Sequence, residues 1–108
     1  MQTADRFGFP FIAVIGNNSA MNQIRYGQLA KYGQQKGNIA NKLGDMEFSK
    51  FPDLWVGLGI DVKNPDEIRS ALDHARKFVK EKRKSAVVNI WVDPNEYAPG
   101  TKAQPMYK

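Results

Sequence analysis

The sequence contains no cysteine and a single histidine. Disulfides, thiolate metal sites and a cysteine nucleophile are therefore excluded, and His74 has no second histidine with which to build a metal cluster. Long apolar runs are also missing. The longest, Phe9 to Ile15, is interrupted by Pro10 and falls well short of the ~20 residues that a membrane span needs. The first residues lack the basic stretch and long apolar segment of a signal peptide. Acidic residues are outnumbered, 11 against 16 basic ones, for a formal charge of +5. Hydrophobic residues make up 42% and charged residues 25% of the 108, the balance of a single globular domain with a modest core. The expectation is a cytoplasmic protein.

Much of the excess charge sits between Lys77 and Lys84, where five cations outweigh Glu81. Such a run suits the negative end of a helix dipole, solvated. It also suits phosphate groups, so a non-catalytic basic binding module is the rival reading. The chain has no aromatic-basic stacking motif and no helix-turn-helix pattern, so no nucleic-acid partner is expected.

Along the chain, Phe9 to Gly16 (FPFIAVIG) reads as a strand buried on both faces, as in a parallel sheet. Met21 to Tyr32 is moderately helical, and Gly33 to Asp45 is polar and glycine-bearing, which predicts loop. Phe48, Phe51, Leu54, Trp55 and Leu58 fall at helical spacing, with Pro52 either in the first turn or bending the helix and Gly57 and Gly59 as terminators. Ile60 to Lys63 predicts a short strand. Asn64 is a natural N-cap, Pro65 fits the first helical position and Glu67 completes a capping box. Ile68, Ala71, Leu72, Ala75, Phe78 and Val79 then form one apolar face, and Ala86 to Val92 reads as another buried strand. The layout predicts an α/β fold, a parallel sheet with flanking helices. Residues 1–93 form the folded part. Residues 94–108 form a tail with Pro99, Gly100 and Pro105.

Ligands in open α/β sheets bind beyond the carboxyl ends of the strands. The first strand delivers Gly16-Asn17-Asn18-Ser19-Ala20 to that edge, just before a helix. There the Ser19 and Ala20 amides are placed for a phosphate, and an Asn oxygen for a hard cation such as magnesium. Asn-Asn after a strand is also an ordinary turn.

The stretch FPFIAVIGNNSAMNQIRYGQ resembles the second half of the cofactor signature of thiamine diphosphate enzymes, which opens with Gly-Asp-Gly and closes with Asn-Asn after an apolar strand. The resemblance runs on through FSKFPDLWVGLGIDVKNPDEIRSALDHA and AVVNIWVDPNEYAPGTKAQPMYK. There the chain is similar to the acetolactate synthase, oxalyl-CoA decarboxylase and 2-hydroxyacyl-CoA lyase branch. It implies the C-terminal half of a thiamine diphosphate-binding domain. It implies Asn18 (side chain) and Ala20 (carbonyl) as magnesium ligands, and Asn17, Ser19, Met21 and Asn22 around the cofactor, with Asn17 shaping the turn. Gln23 is expected near substrate, with Lys102, Tyr107 and Lys108 of the tail, which would close over the site and face CoA phosphates.

The Gly-Asp-Gly half, with its metal-binding aspartate, is absent. The catalytic glutamate is expected on another chain, since none of Glu47, Glu67, Glu81 or Glu96 has its context. Pro52 departs from the family's uninterrupted helix. The chain is thus either a truncated piece or a small subunit in a hetero-oligomer with a larger chain, and Met1 permits the second. The resemblance implies a lyase that cleaves a 2-hydroxyacyl-CoA, or alternatively an acetolactate synthase-like 2-keto acid decarboxylase or carboligase.

Overall fold

Three parallel strands form the sheet: β1 (Ile12–Asn17), β2 (Leu58–Val62) and β3 (Ala86–Trp91), in the order β1-β3-β2. The structure is a computed structural model and describes residues 1–96. Three helices accompany the strands: α1 (Gln2–Arg6), α2 (Asn22–Gly37) and α3 (Ile68–Lys82). A 3-10 helix spans Phe48–Trp55, and a 3-10 turn, Pro65–Glu67, leads into α3. The tail residues Lys102, Tyr107 and Lys108 lie outside the described residues. The described chain divides into two compact units. One is Met1–Asn17 with Glu47–Val92, and the other is Asn18–Met46 with the segment from Asp93.

The first unit contains the sheet. Ile12 and Leu58 both lie level with Ala86, and the ladders run to Asn17–Trp91 on one side and Val62–Ile90 on the other. The core lies between the sheet and α3. Val62, Ala86 and Val88 meet Ala71 and Ala75, and Ile12, Leu58, Ile60, Ile68, Leu72, Val79 and Ile90 close around them. Ala71 and Ala75 are small enough for the helix axis to approach the strands. Burying one such valine contributes about 1.5–3 kcal/mol. The predicted apolar face of α3 is therefore the face that packs. The cap differs from the expectation: Asn64 caps the 3-10 turn, its side chain accepting from the Asp66 amide (3.1 Å), and α3 itself starts after Glu67 with no side-chain cap bond. The basic run closes α3, with Lys80 and Lys82 in the last turn and Arg83 in a left-handed cap.

Three sequence expectations are corrected. β1 is not buried on both faces: it is an edge strand of the described sheet, and Val14 is 54% exposed. The helix before β2 is 3-10, with Pro52 inside it, and it ends at Val56 (φ 63°), ahead of Gly57. Gly59 terminates nothing. It lies in β2, where a Cβ would come within 1.6 Å of the Ser49 carbonyl oxygen. The stretch after Tyr32 is not all loop, because α2 resumes beyond a kink at Gly33 (φ 75°) and runs to Gly37. At Gly37 a side chain would strike the Leu29 backbone, 2.7 Å away.

Gln2–Arg6, unassigned from sequence, form α1. Its buried Asp5 accepts the Ser85 N–H through both oxygens (2.9 and 3.0 Å) and also the Ser85 hydroxyl, while Ser85 Oγ accepts from Phe11 N–H (3.1 Å). One carboxylate thus ties the first helix to the start of β3. On the sheet face away from α3, Asp61 accepts from Asn89 (2.6 Å), Ser49 (2.7 Å) and the Trp91 indole (3.2 Å). Partial burial pushes its carboxyl up, but these three bonds and nearby Lys63 outweigh burial and hold it below its ordinary value.

Candidate cofactor site

The Asn-Asn pair falls where β1 ends. Asn17 is the last residue of the strand and is buried; its carbonyl accepts from Val92 N–H (3.0 Å), so its backbone continues the ladder. The residues that follow belong to the second unit and form a loop ahead of α2. The Asn18 side-chain oxygen accepts from the Ala20 N–H (3.1 Å), closing an Asx turn. Ser19, within that turn, is held at φ 54°, a left-handed conformation uncommon for a residue with a Cβ and frequent at functional loops. The Ala20 amide is consequently turned toward Asn18 and is not offered to a phosphate, as the sequence suggested.

Three contacts pin this loop. The Ser19 hydroxyl donates to Asp45 (2.8 Å). Ala20 pairs with Lys42 in an isolated antiparallel bridge. Both bonds of that bridge come from neighbouring residues: Met21 N–H to Asn41 O (2.8 Å) and Leu43 N–H to Ser19 O (2.9 Å). The Ala20 carbonyl is therefore outside the bridge's hydrogen bonds, and the Asn18 oxygen keeps a second lone pair beyond its turn. Met21 caps α2, whose first hydrogen bond runs from Arg25 N–H to Met21 O (2.9 Å), so the amides of Asn22, Gln23 and Ile24 form the positive end of the helix. Met21 and Gln23 are exposed, and Asn22 is buried.

Arg25 is buried. Its guanidinium donates to Asn38 (2.7 Å), Asn22 (3.1 Å) and the Pro94 carbonyl (3.3 Å), and Asn22 Nδ2 donates to the same carbonyl (2.6 Å). Neutral oxygens thus hold this cation in place. Between Asn18 and Met46 the sequence carries Arg25, Lys31, Lys36 and Lys42 against Asp45 alone. Asn41, buried, donates to Gln28 (2.6 Å) and to the Gly37 carbonyl (3.0 Å).

Asn18, Ser19, Ala20, Met21 and Asn22 are therefore brought together in one loop and helix start. Sequence reasoning missed Asp45, Asn41 and Arg25. Ser19 and Asp45 are 26 residues apart with no periodic relation, so nothing in the sequence links them. Arg25 had one signal: it is the first charge after Arg6.

The Asn18 carboxamide, the Ala20 carbonyl and, against the loop, the Asp45 carboxylate are hard oxygen donors. Such oxygens suit a cation such as magnesium. No group of three or more His, Cys, Asp or Glu side chains capable of holding a metal occurs among the described residues, so these oxygens do not make a complete metal site.

Residues 1–90 match the family described as "Thiamine pyrophosphate enzyme, C-terminal TPP binding domain", and the chain belongs to that family. It is similar to the acetolactate synthase large subunit of Haemophilus influenzae, 30% identical over 98 residues, which is 90% of this chain and 16% of that protein. No solved structure matches it significantly. The α/β architecture with a parallel sheet is thus that of a thiamine diphosphate (pyrophosphate)-binding C-terminal domain. No helix among the described residues is long and apolar enough to cross a membrane.

Proposed function

We propose that this chain supplies the metal- and diphosphate-holding part of the cofactor site in a thiamine diphosphate- and magnesium-dependent enzyme acting on 2-keto acids. The observation that carries the proposal is the pinned Asn18–Ala20 loop at the positive end of α2. In this reading Asn18 and the Ala20 carbonyl hold magnesium, and Ser19, Met21 and Asn22 flank the diphosphate. The bound cofactor supplies the nucleophilic carbon needed to make or break a bond beside a carbonyl. The chain's own task is positioning. Asp45 fixes Ser19, Arg25 fixes Asn22, and the fixed loop holds the diphosphate end so that the reactive ring cannot drift.

The remaining metal ligand, the glutamate that acts on the cofactor and the acyl pocket would come from parts of the enzyme outside these 108 residues, on the same chain or on a partner. The 16% coverage of the relative supports this division. The 2-hydroxyacyl-CoA alternative leans on Lys102, Tyr107 and Lys108, outside the described residues. The relative named acetolactate synthase favours the 2-keto acid reading. Asn18→Ala in the assembled enzyme tests the site: cofactor affinity should fall at least about tenfold, the loss of one charge-assisted contact. Excess cofactor and magnesium should restore part of the rate. A variant indistinguishable from wild type at limiting cofactor removes the assignment.

A further inference from the structure

Arg25 combines features that are each unfavourable without an anion beside it. It is 7% exposed, and a buried charge is costly unless an opposite charge meets it. Neither ion pair of the described residues, Lys50–Glu47 or Arg76–Asp73, includes it. Arg25 is also the fourth residue of α2, whose first turn has no acidic side chain. A cation therefore stands near the positive end of the helix dipole, where a carboxylate is the favourable neighbour. Between Asn18 and Met46 the one acidic residue is Asp45, which accepts from Ser19. Asp93, close in sequence to Pro94, turns to the Asn95 amide (2.7 Å).

A guanidinium has five N–H donors. Nε gives one to Asn38, and Nη1 gives two, to Asn22 and the Pro94 carbonyl. The two hydrogens of Nη2 bond to no atom of the described residues. Two side-chain polar atoms are fully buried without a partner among those residues, Trp55 Nε1 and Asn89 Oδ1. Nη2 is not one of them, so it reaches the surface. The side chain is thus a largely desolvated cation, fixed by three neutral oxygens, with one face of donors still open.

We propose that Nη2 of Arg25 receives a small oxyanion, the carboxylate of the 2-keto acid substrate, an inference that rests on the function proposed above. A planar guanidinium matches a carboxylate or a phosphate in charge and geometry. In that reading the diphosphate is met by magnesium and the Asn18–Ala20 loop, and the reaction brings a carboxylate with each substrate molecule. Asn22 links the two places: it flanks the diphosphate and bonds to Arg25 (3.1 Å), which sets the carboxylate one side chain from the cofactor.

Steady-state kinetics of the assembled enzyme at saturating thiamine diphosphate and magnesium test this, with pyruvate and its uncharged methyl ester as substrates. Arg25→Gln should raise the KM for pyruvate by about tenfold to a hundredfold, the loss of a charge-assisted contact, and shift the ester far less. Should that variant fail to assemble, Arg25→Lys keeps the charge without the fork and should raise the pyruvate KM severalfold, again sparing the ester. Equal losses for both substrates would mean that Arg25 only holds Asn22, and would overturn the proposal. Calorimetry with inorganic phosphate separates the other source: phosphate binding that depends on Arg25, with pyruvate kinetics unchanged, would overturn the assignment to substrate. A wild-type enzyme that binds no thiamine diphosphate, yet binds pyruvate through Arg25, would sink the proposed function and leave this site standing. Cofactor-dependent turnover indifferent to Arg25 would do the reverse.

Discussion

Ser19 is the residue where conformation and hydrogen bonding act against each other. Its left-handed backbone favours glycine, while its hydroxyl holds Asp45. Ser19→Ala keeps the strain and loses the bond, whereas Ser19→Gly loses both. The glycine variant should therefore be the more stable of the two by about 1 kcal/mol. Exchange of the Leu43 amide, which donates to Ser19 O, should be faster in the alanine variant; equal exchange would remove the latch. Asp61 gives a pH prediction. Its carboxyl lies below its ordinary value in the folded chain. The stability it contributes is present above the ordinary carboxylate range and is lost as pH falls through the folded value. Asp61→Asn should flatten the acid limb of stability against pH, measured by urea unfolding, and leave the neutral-pH dependence unaltered.

Among the elements, the 3-10 helix and β2 approach closely at Gly59. Gly59→Ala would drive a methyl group into the Ser49 carbonyl, and neither backbone can yield without shifting. The cost should reach about 3 kcal/mol or more, the upper end of overpacking, visible as a lowered urea midpoint. A wild-type midpoint would mean that the two elements separate freely. This contact also shows what the sequence could and could not reveal. The spacing from Ile68 to Val79 was legible because one helix face and one cap obey local rules. The order of strands and helices was legible because apolar runs alternate with periodic segments. The 3-10 geometry was hidden, since Phe48, Phe51 and Trp55 suit either helix and only Pro52 hinted otherwise. Asn18 to Asn22 could be read from the motif, but their fixing by Asn41 and Asp45 is long-range and leaves no periodic trace.

At the scale of the whole molecule, the sheet is more complete than the cofactor site. The isolated chain should bind thiamine diphosphate and magnesium weakly or not at all, because one side chain and one carbonyl do not make an octahedral site. Submicromolar calorimetric binding by the pure chain would refute this and move the whole metal site into these residues.

The pairing of β1 with β3 also has a consequence in time. Ile12 lies beside Ala86, and Phe11 bonds to Ser85 across a separation of 74 residues. During synthesis β1 leaves the ribosome well before its partner strand, which lies some seventy residues later in the chain. Contacts this distant in sequence form slowly, since the loop entropy is lost before the pairing is gained. For those seconds Ile12, which later packs against the core, stands on a strand without β3 beside it. A nascent chain stalled before Ala86 emerges should therefore remain protease-sensitive and chaperone-bound, and protection should appear only once β3 has cleared the exit tunnel.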